Sequence, residues 1–141
     1  MTPAVRQSLQ QGIMAHNKGN FREAERLYRA VLKFHPKNPD ANHNLGLLAV
    51  AANKTALALP LFKTALEANR NEEKFWLSYI KGLIKERHFE KAKKFIRQAS
   101  KNGVNKHNFQ EVYNSFGVAL KASGKLIEAE VSFRKSISLA P

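Results

Sequence analysis

Gly12, Ala24, Tyr28 and Val31 are followed, 34 residues later, by Gly46, Ala58, Phe62 and Ala65. The same intervals of 12, 4 and 3 residues return at Gly117, Ala129, Phe133 and Ser136. Between them Ala92, Ile96 and Ala99 keep the step of 34, with Ile80 at the glycine position. From Ala92 to Ala129 is 37 residues, which places about three inserted residues near His107 to Phe109. A fixed period of this length constrains the chain more than any other feature. Each unit is a supersecondary element too small to bury its apolar face alone, so it must stack on its neighbours. The predicted units are 5–38, 39–72, 73–106 and 110–141, together a single domain.

Each unit reads as two helices. Asn38 before Pro39 and Asp40 predicts a cap with proline at the first helical position, and Asn20 with Glu23 predicts a capping box. Gly19, Gly103 and Gly124 fall where helices should stop. Ala129, Phe133 and Ile137 recur at i, i+4 and i+8, one apolar stripe. No segment alternates with period two, so no sheet is expected. The small residues let two helices approach closely: Gly46 and Gly117 are expected to face Ala58 and Ala129, with Phe62 and Phe133 filling the gap to the next unit. Trp76, Phe62, Phe133, Leu45 and Tyr28 are the predicted buried set. Pro141 is expected to stop the last helix.

Composition excludes several classes. Hydrophobic residues make up 43% of the chain, enough for a core. No apolar run approaches a membrane span, the start lacks a signal pattern, and there is no cysteine for a disulfide or thiolate. These point to a cytoplasmic protein without a membrane partner. The five histidines lack metal-ligand spacing, and no phosphate loop or nucleophile elbow is present. No catalytic residue, metal or cofactor is therefore expected. Asn53-Lys54-Thr55 is a formal glycosylation sequon, read as an ordinary turn.

Charge is the remaining handle. The net charge is +13, which favours an anionic partner. Unit three holds ten basic and three acidic residues, +7 of that total. On its first helix Lys74, Ser78, Lys81 and Lys85 form one polar stripe, opposite Trp76, Tyr79, Ile80, Leu83 and Ile84. On its second helix Lys91, Lys94, Arg97 and Lys101 lie away from Phe95, Ile96 and Ala99 and read as a solvated face.

The spacing resembles the tetratricopeptide repeat family. The residues that carry the resemblance are Leu45, Gly46, Ala58, Phe62 and Ala65, then Trp76, Ala92 and Ala99, then Tyr113, Gly117, Gly124, Ala129, Phe133 and Pro141. Ile80 departs from the pattern and puts the packing angle inside unit three in question. The resemblance implies an all-α fold, a right-handed superhelical solenoid of about four helix-turn-helix units, eight helices in all. It also implies that first helices line a concave groove. Ending at the last position of a repeat, the chain is expected to be a piece of a longer array or larger protein.

Three functions follow as expectations. The first is a non-enzymatic scaffold that binds an extended, acidic peptide through Asn44, Lys74, Ser78, Lys81, Lys85, Asn114 and Lys121. Asn44 and Lys74 match positions that clamp a terminal carboxylate in some members of the family. Asn44 also matches the asparagine that holds a peptide backbone in the arrays of O-linked N-acetylglucosamine transferases, a task suited to an amide that both donates and accepts. The second is a substrate-presenting arm of a larger glycosyl- or sulfotransferase, whose catalytic domain would lie beyond Pro141. The third is nucleic-acid binding through the outer basic face; the Trp76 and Tyr79 spacing resembles the half-a-tetratricopeptide repeats of RNA-processing factors. Self-association is also expected, through Leu126, Phe133 and Ile137 on the uncapped last unit.

Overall fold

Asn38 shows how the helices are started. Its side chain accepts from the Ala41 amide at 2.8 Å, and Pro39 follows at the first helical position. Thr2 does the same for the first helix, accepting from Val5 at 3.2 Å ahead of Pro3. Such caps satisfy amides that have no partner within the helix. The computed structural model describes residues 1–140; Pro141, predicted to stop the last helix, lies outside the described residues. It contains α1 (Pro3–Asn17), α2 (Phe21–Phe34), α3 (Pro39–Ala51), α4 (Thr55–Ala68), α5 (Glu73–Lys85), α6 (Phe89–Lys101), α7 (Phe109–Ala122) and α8 (Leu126–Ser138). A 3-10 turn at Lys106–Asn108 precedes α7. Among the described residues there are eight α-helices and no strand.

The chain divides into two units, Met1–Asn69 and Arg70–Pro141. In the first, α1 pairs with α2, α3 pairs with α4, and α2 lies against α3. In the second, α5 pairs with α6, α7 pairs with α8, and α5 lies against α7. The short connections repeat one device. Gly19, Asn53, Arg87 and Gly124 each follow a first helix with φ between 60° and 79°, a left-handed conformation that ends a helix.

The glycines of the repeat meet the aromatic ring that was expected to fill the gap to the next unit. A Cβ on Gly46 would stand 2.5 Å from Cε1 of Phe62, and one on Gly117 would stand 2.6 Å from Cε1 of Phe133. At Gly12 the atom met would be Cε1 of Tyr28, at 2.8 Å. The aromatic ring sixteen residues on therefore lies over the glycine, nearer to it than any other side chain. Ala24, Ala58 and Ala129 are buried all the same. The ring fills the gap inside its own helix pair. This also corrects the buried set: Phe133 is only half-buried, whereas Trp76, Tyr28, Phe62 and Leu45 are at most 4% exposed.

The third pair lacks both halves of this contact. Ile80 stands at the glycine position and Ile96 at the aromatic one, both buried. The backbones of α5 and α6 approach each other over less of their length than those of the other pairs. A β-branched side chain where the others have a hydrogen keeps the two helices apart. Trp76, Tyr79 and Phe95 fill the space, with the Tyr79 and Phe95 rings edge to face at 4.8 Å.

Another expectation fails at α2. Asn20 precedes the helix, but its side chain makes no capping bond. Glu23 is held instead by Arg26, at 2.6 Å and 2.9 Å. The inserted segment before α7 is tied down by Glu73, whose carboxylate accepts from the Asn105 amide at 3.1 Å and the Asn108 side chain at 2.6 Å.

Candidate functional site

The two first helices of the second unit, α5 and α7, border a cleft of about 450 Å³. Its basic edge is Lys81, Lys85 and Arg87, its amide and hydroxyl groups are Asn114 and Ser115, and Ile84, Val118 and Ala119 are among its apolar walls. The polar stripe predicted for α5 supplies Lys81 and Lys85, and α7 supplies Asn114 from its own exposed side. Three of the predicted residues are thus brought together. Each stands on a helix with a buried arc, Ile80 and Leu83 on α5 and Phe116 and Leu120 on α7, so their positions are fixed by the core.

The sequence missed two polar residues of the lining, Arg87 and Ser115, and the carboxylate that pairs with Lys81. Arg87 lies just past α5 with φ of 63°, the register where Gly19 and Gly124 stand in two other pairs. A non-glycine residue held there is strained, and its side chain lines the cleft. The repeat alignment carried that signal, as the one position of the four with neither glycine nor asparagine. Glu111 supplies that carboxylate, and it stands outside the lining. Its carboxylate stands 3.1 Å from the Lys81 ammonium. Both side chains are well exposed, so the pair is worth about 0–1 kcal/mol.

The remaining predicted residues sit elsewhere. Lys74 is at the start of α5 with its ammonium over the Phe75 ring, 5.5 Å from the centroid. Ser78, half-buried on α5, and Lys121, exposed on α7, do not line the cleft. Asn44 belongs to the first unit. It is half-buried on α3, where its amide hydrogen-bonds the Tyr28 hydroxyl. His16 Nδ1 lies 3.1 Å from the same hydroxyl. Burial pushes the Tyr28 phenol above its ordinary value, and the Asn44 bond partly opposes this. Among the described residues no cluster of His, Asp and Glu could hold a metal ion, and no helix is long and apolar enough to cross a membrane.

A helix pair with a glycine beneath an aromatic ring, repeated along the chain, defines a class. The family model described as Tetratricopeptide repeat matches residues 110–141. The chain has the fold of tetratricopeptide-repeat proteins, and by sequence its fourth helix pair matches that family's model. Among solved structures, MamA from MSR-1 is 24% identical with a TM-score of 0.80, covering 96% of this chain and 76% of its own. YrrB, described as a TPR protein with an unusual peptide-binding site, is 21% identical with a TM-score of 0.82, covering 98% and 70%. The pilF protein of Pseudomonas aeruginosa is 22% identical with a TM-score of 0.70, covering 96% and 61%. No curated protein matches the chain.

Proposed function

We propose that this chain is a non-enzymatic scaffold that binds an extended, acidic segment of a partner protein, and that the α5–α7 cleft receives its carboxylates. The observation that carries the reading is the cleft's lining. Three cations, an amide and a hydroxyl border it, and no acidic residue lines it. Lys85 and Arg87 are exposed, so a ligand can reach them without displacing the core. Asn114 can donate and accept at once, which suits a peptide backbone. The peptide-binding site described for YrrB, a protein of the same fold, supports the class of ligand. Lys74 and Ser78 on α5, Lys121 on α7 and Asn44 in the first unit would meet further parts of a longer segment.

Several weak charge contacts acting together steer association more than they deepen affinity. A fluorescein-labelled peptide of alternating Glu and Ser should bind at low salt and weaken as salt screens the contacts. Lys81→Glu with Lys85→Glu should reduce its affinity roughly tenfold, as expected for about 1.4 kcal/mol. Lys94→Glu with Lys101→Glu, exposed on α6, should leave it within about twofold. Equal losses from the two pairs would remove the cleft from the reading.

Glu111 gives a test of opposite sign. Glu111→Gln releases Lys81 from its carboxylate and should tighten the same peptide by up to about fivefold, the upper end of an exposed pair. Unchanged or weaker binding in an anisotropy titration would mean that Lys81 does not meet the ligand.

A further inference from the structure

The second unit carries another cleft, on the opposite side of α7. Tyr113, Phe116 and Leu120 face it, whereas Asn114, Ser115 and Val118 face the α5–α7 cleft; helical spacing puts the two sets on opposing arcs. This trough of about 340 Å³ lies between α6 and α8, with α7 as its floor. Ile96, Ile127 and Val131 line it as well. Ile127 is 82% exposed and Val131 52%, so the apolar surface is open to a partner. We propose that this trough docks an amphipathic helix of a partner protein, apolar face inward and acidic residues along its flanks.

The first unit provides an internal comparison. It builds the equivalent trough from α2, α3 and α4, and Arg29 there precedes Arg97 by 68 residues, two repeat periods. Arg29 is neutralised by Glu25 at 3.1 Å. The residue 68 positions after Glu25 is Lys93, so the carboxylate that would hold Arg97 is replaced by a second cation. Lys93 finds Glu90 and Glu128 at 3.2 Å and 3.3 Å. No ion pair of the described residues involves Arg97 or Lys135, and both line the trough. The Lys135 ammonium instead stands over the Tyr113 ring, 5.3 Å from its centroid. The fold makes the trough in both units; the first leaves Arg22 and Lys54 on its rim, whereas the second places Arg97 and Lys135 beside the open Ile127 and Val131.

The lining selects the ligand. Extended peptide would press bare N–H and C=O groups on an apolar floor with little to bond them, whereas a helix satisfies its own backbone and offers an apolar stripe. A second copy of this chain would bring another +13 toward a cationic rim, which charge complementarity disfavours. Nucleic acid would suit the cations and waste the floor. The assignment stands independently of the α5–α7 reading, because the two sites share no residue.

The probe is a fluorescein-labelled synthetic peptide of about five helical turns, with leucines on one face and glutamates flanking them. The controls are the same composition scrambled, the same face flanked by lysines, and a short DNA duplex. Anisotropy of the first peptide should rise on addition of the 141-residue chain, and that of the scrambled or lysine forms should not. Arg97→Glu with Lys135→Glu, and separately Val131→Asp, should each weaken it roughly tenfold or more. Arg29→Glu and Lys85→Glu should leave it within about twofold. All of these side chains are exposed, and circular dichroism checks that each variant is folded. Equal binding of the scrambled peptide, or equal loss from Arg29→Glu, overturns the proposal. So does duplex binding that depends on Arg97 and Lys135 but not on Val131. Loss on Lys85→Glu would move the helix to the α5–α7 cleft and overturn it too.

Discussion

Trp76→Ala should lower the stability of the second unit by roughly 3–5 kcal/mol, the range for a large buried aromatic side chain removed from a core. The indole is fully buried and its Nε1–H donates to the Arg70 carbonyl at 2.7 Å. Phe95 lies against it at a centroid distance of 6.4 Å, and the Arg70 guanidinium covers it at 5.8 Å. Truncation removes packing from α5 and α6 in the one pair that has no glycine contact to hold it. Trp76→Phe keeps most of the volume but leaves the Arg70 carbonyl without its donor, and should cost about 1–3 kcal/mol. Denaturant titration followed by circular dichroism measures both. Trp76 is the only tryptophan, so fluorescence of the parent chain reports on the second unit alone. A Trp76→Ala chain that unfolds at the parent's midpoint would show that α5 and α6 are held by something other than this ring.

Gly46→Val should be comparably damaging in the first unit, at roughly 3 kcal/mol, the upper end for overpacking. Its Cβ would fall 2.5 Å, 2.7 Å and 3.1 Å from three atoms of the Phe62 ring, and Phe62 is 1% exposed, with nowhere to swing. Gly46→Ala makes the same clash but recovers up to about 1 kcal/mol of helix propensity, so it should cost less. Phe62→Leu should then rescue Gly46→Ala in part, with a coupling of about 0.5–3 kcal/mol in a double-mutant cycle. At Gly117 the alanine substitution should cost less again, because Phe133 is half-buried and can give way. Additive behaviour of Gly46→Ala and Phe62→Leu would mean that ring and glycine do not meet.

The period of 34 residues made the helix pairs legible, because a repeated pattern of small and aromatic residues leaves little choice of element. The Asn38 cap and the shared face of Lys81 and Lys85 were legible for the same reason, since helical spacing fixes which side chains share a face; Asn114 joined them only through the resemblance, which puts first helices along one groove. Spacing could not say what covers a glycine. It shows that no side chain fits, and the alanine and the aromatic ring were equally available until the helices were placed. It also could not find the Lys81–Glu111 pair, whose partners stand on different helices with another between them. Glu23 sat three residues after Asn20 as a capping box requires, but an arginine three residues further on competed for the same carboxylate. Arg97 was assigned to a solvated face because its own helix shows only that it points away from Ile96 and Ala99; α8 makes that side a trough.

The Tyr28 hydroxyl makes the repeats of this chain non-interchangeable. In the second and fourth pairs the ring over the glycine is phenylalanine, which has no hydroxyl to satisfy. In the first it is a tyrosine at 0% exposure, whose oxygen is met by His16 from α1 and by Asn44 from α3. The correct neighbour is therefore recognised chemically as well as by shape. A chain with its first two helix pairs separated would lose that match. Wherever the first pair preceded anything but the second, the Tyr28 hydroxyl would keep His16 and lose its amide, at about 0.5–1.5 kcal/mol. A single phenolic oxygen thus writes the order of the first two modules into the energy of the fold.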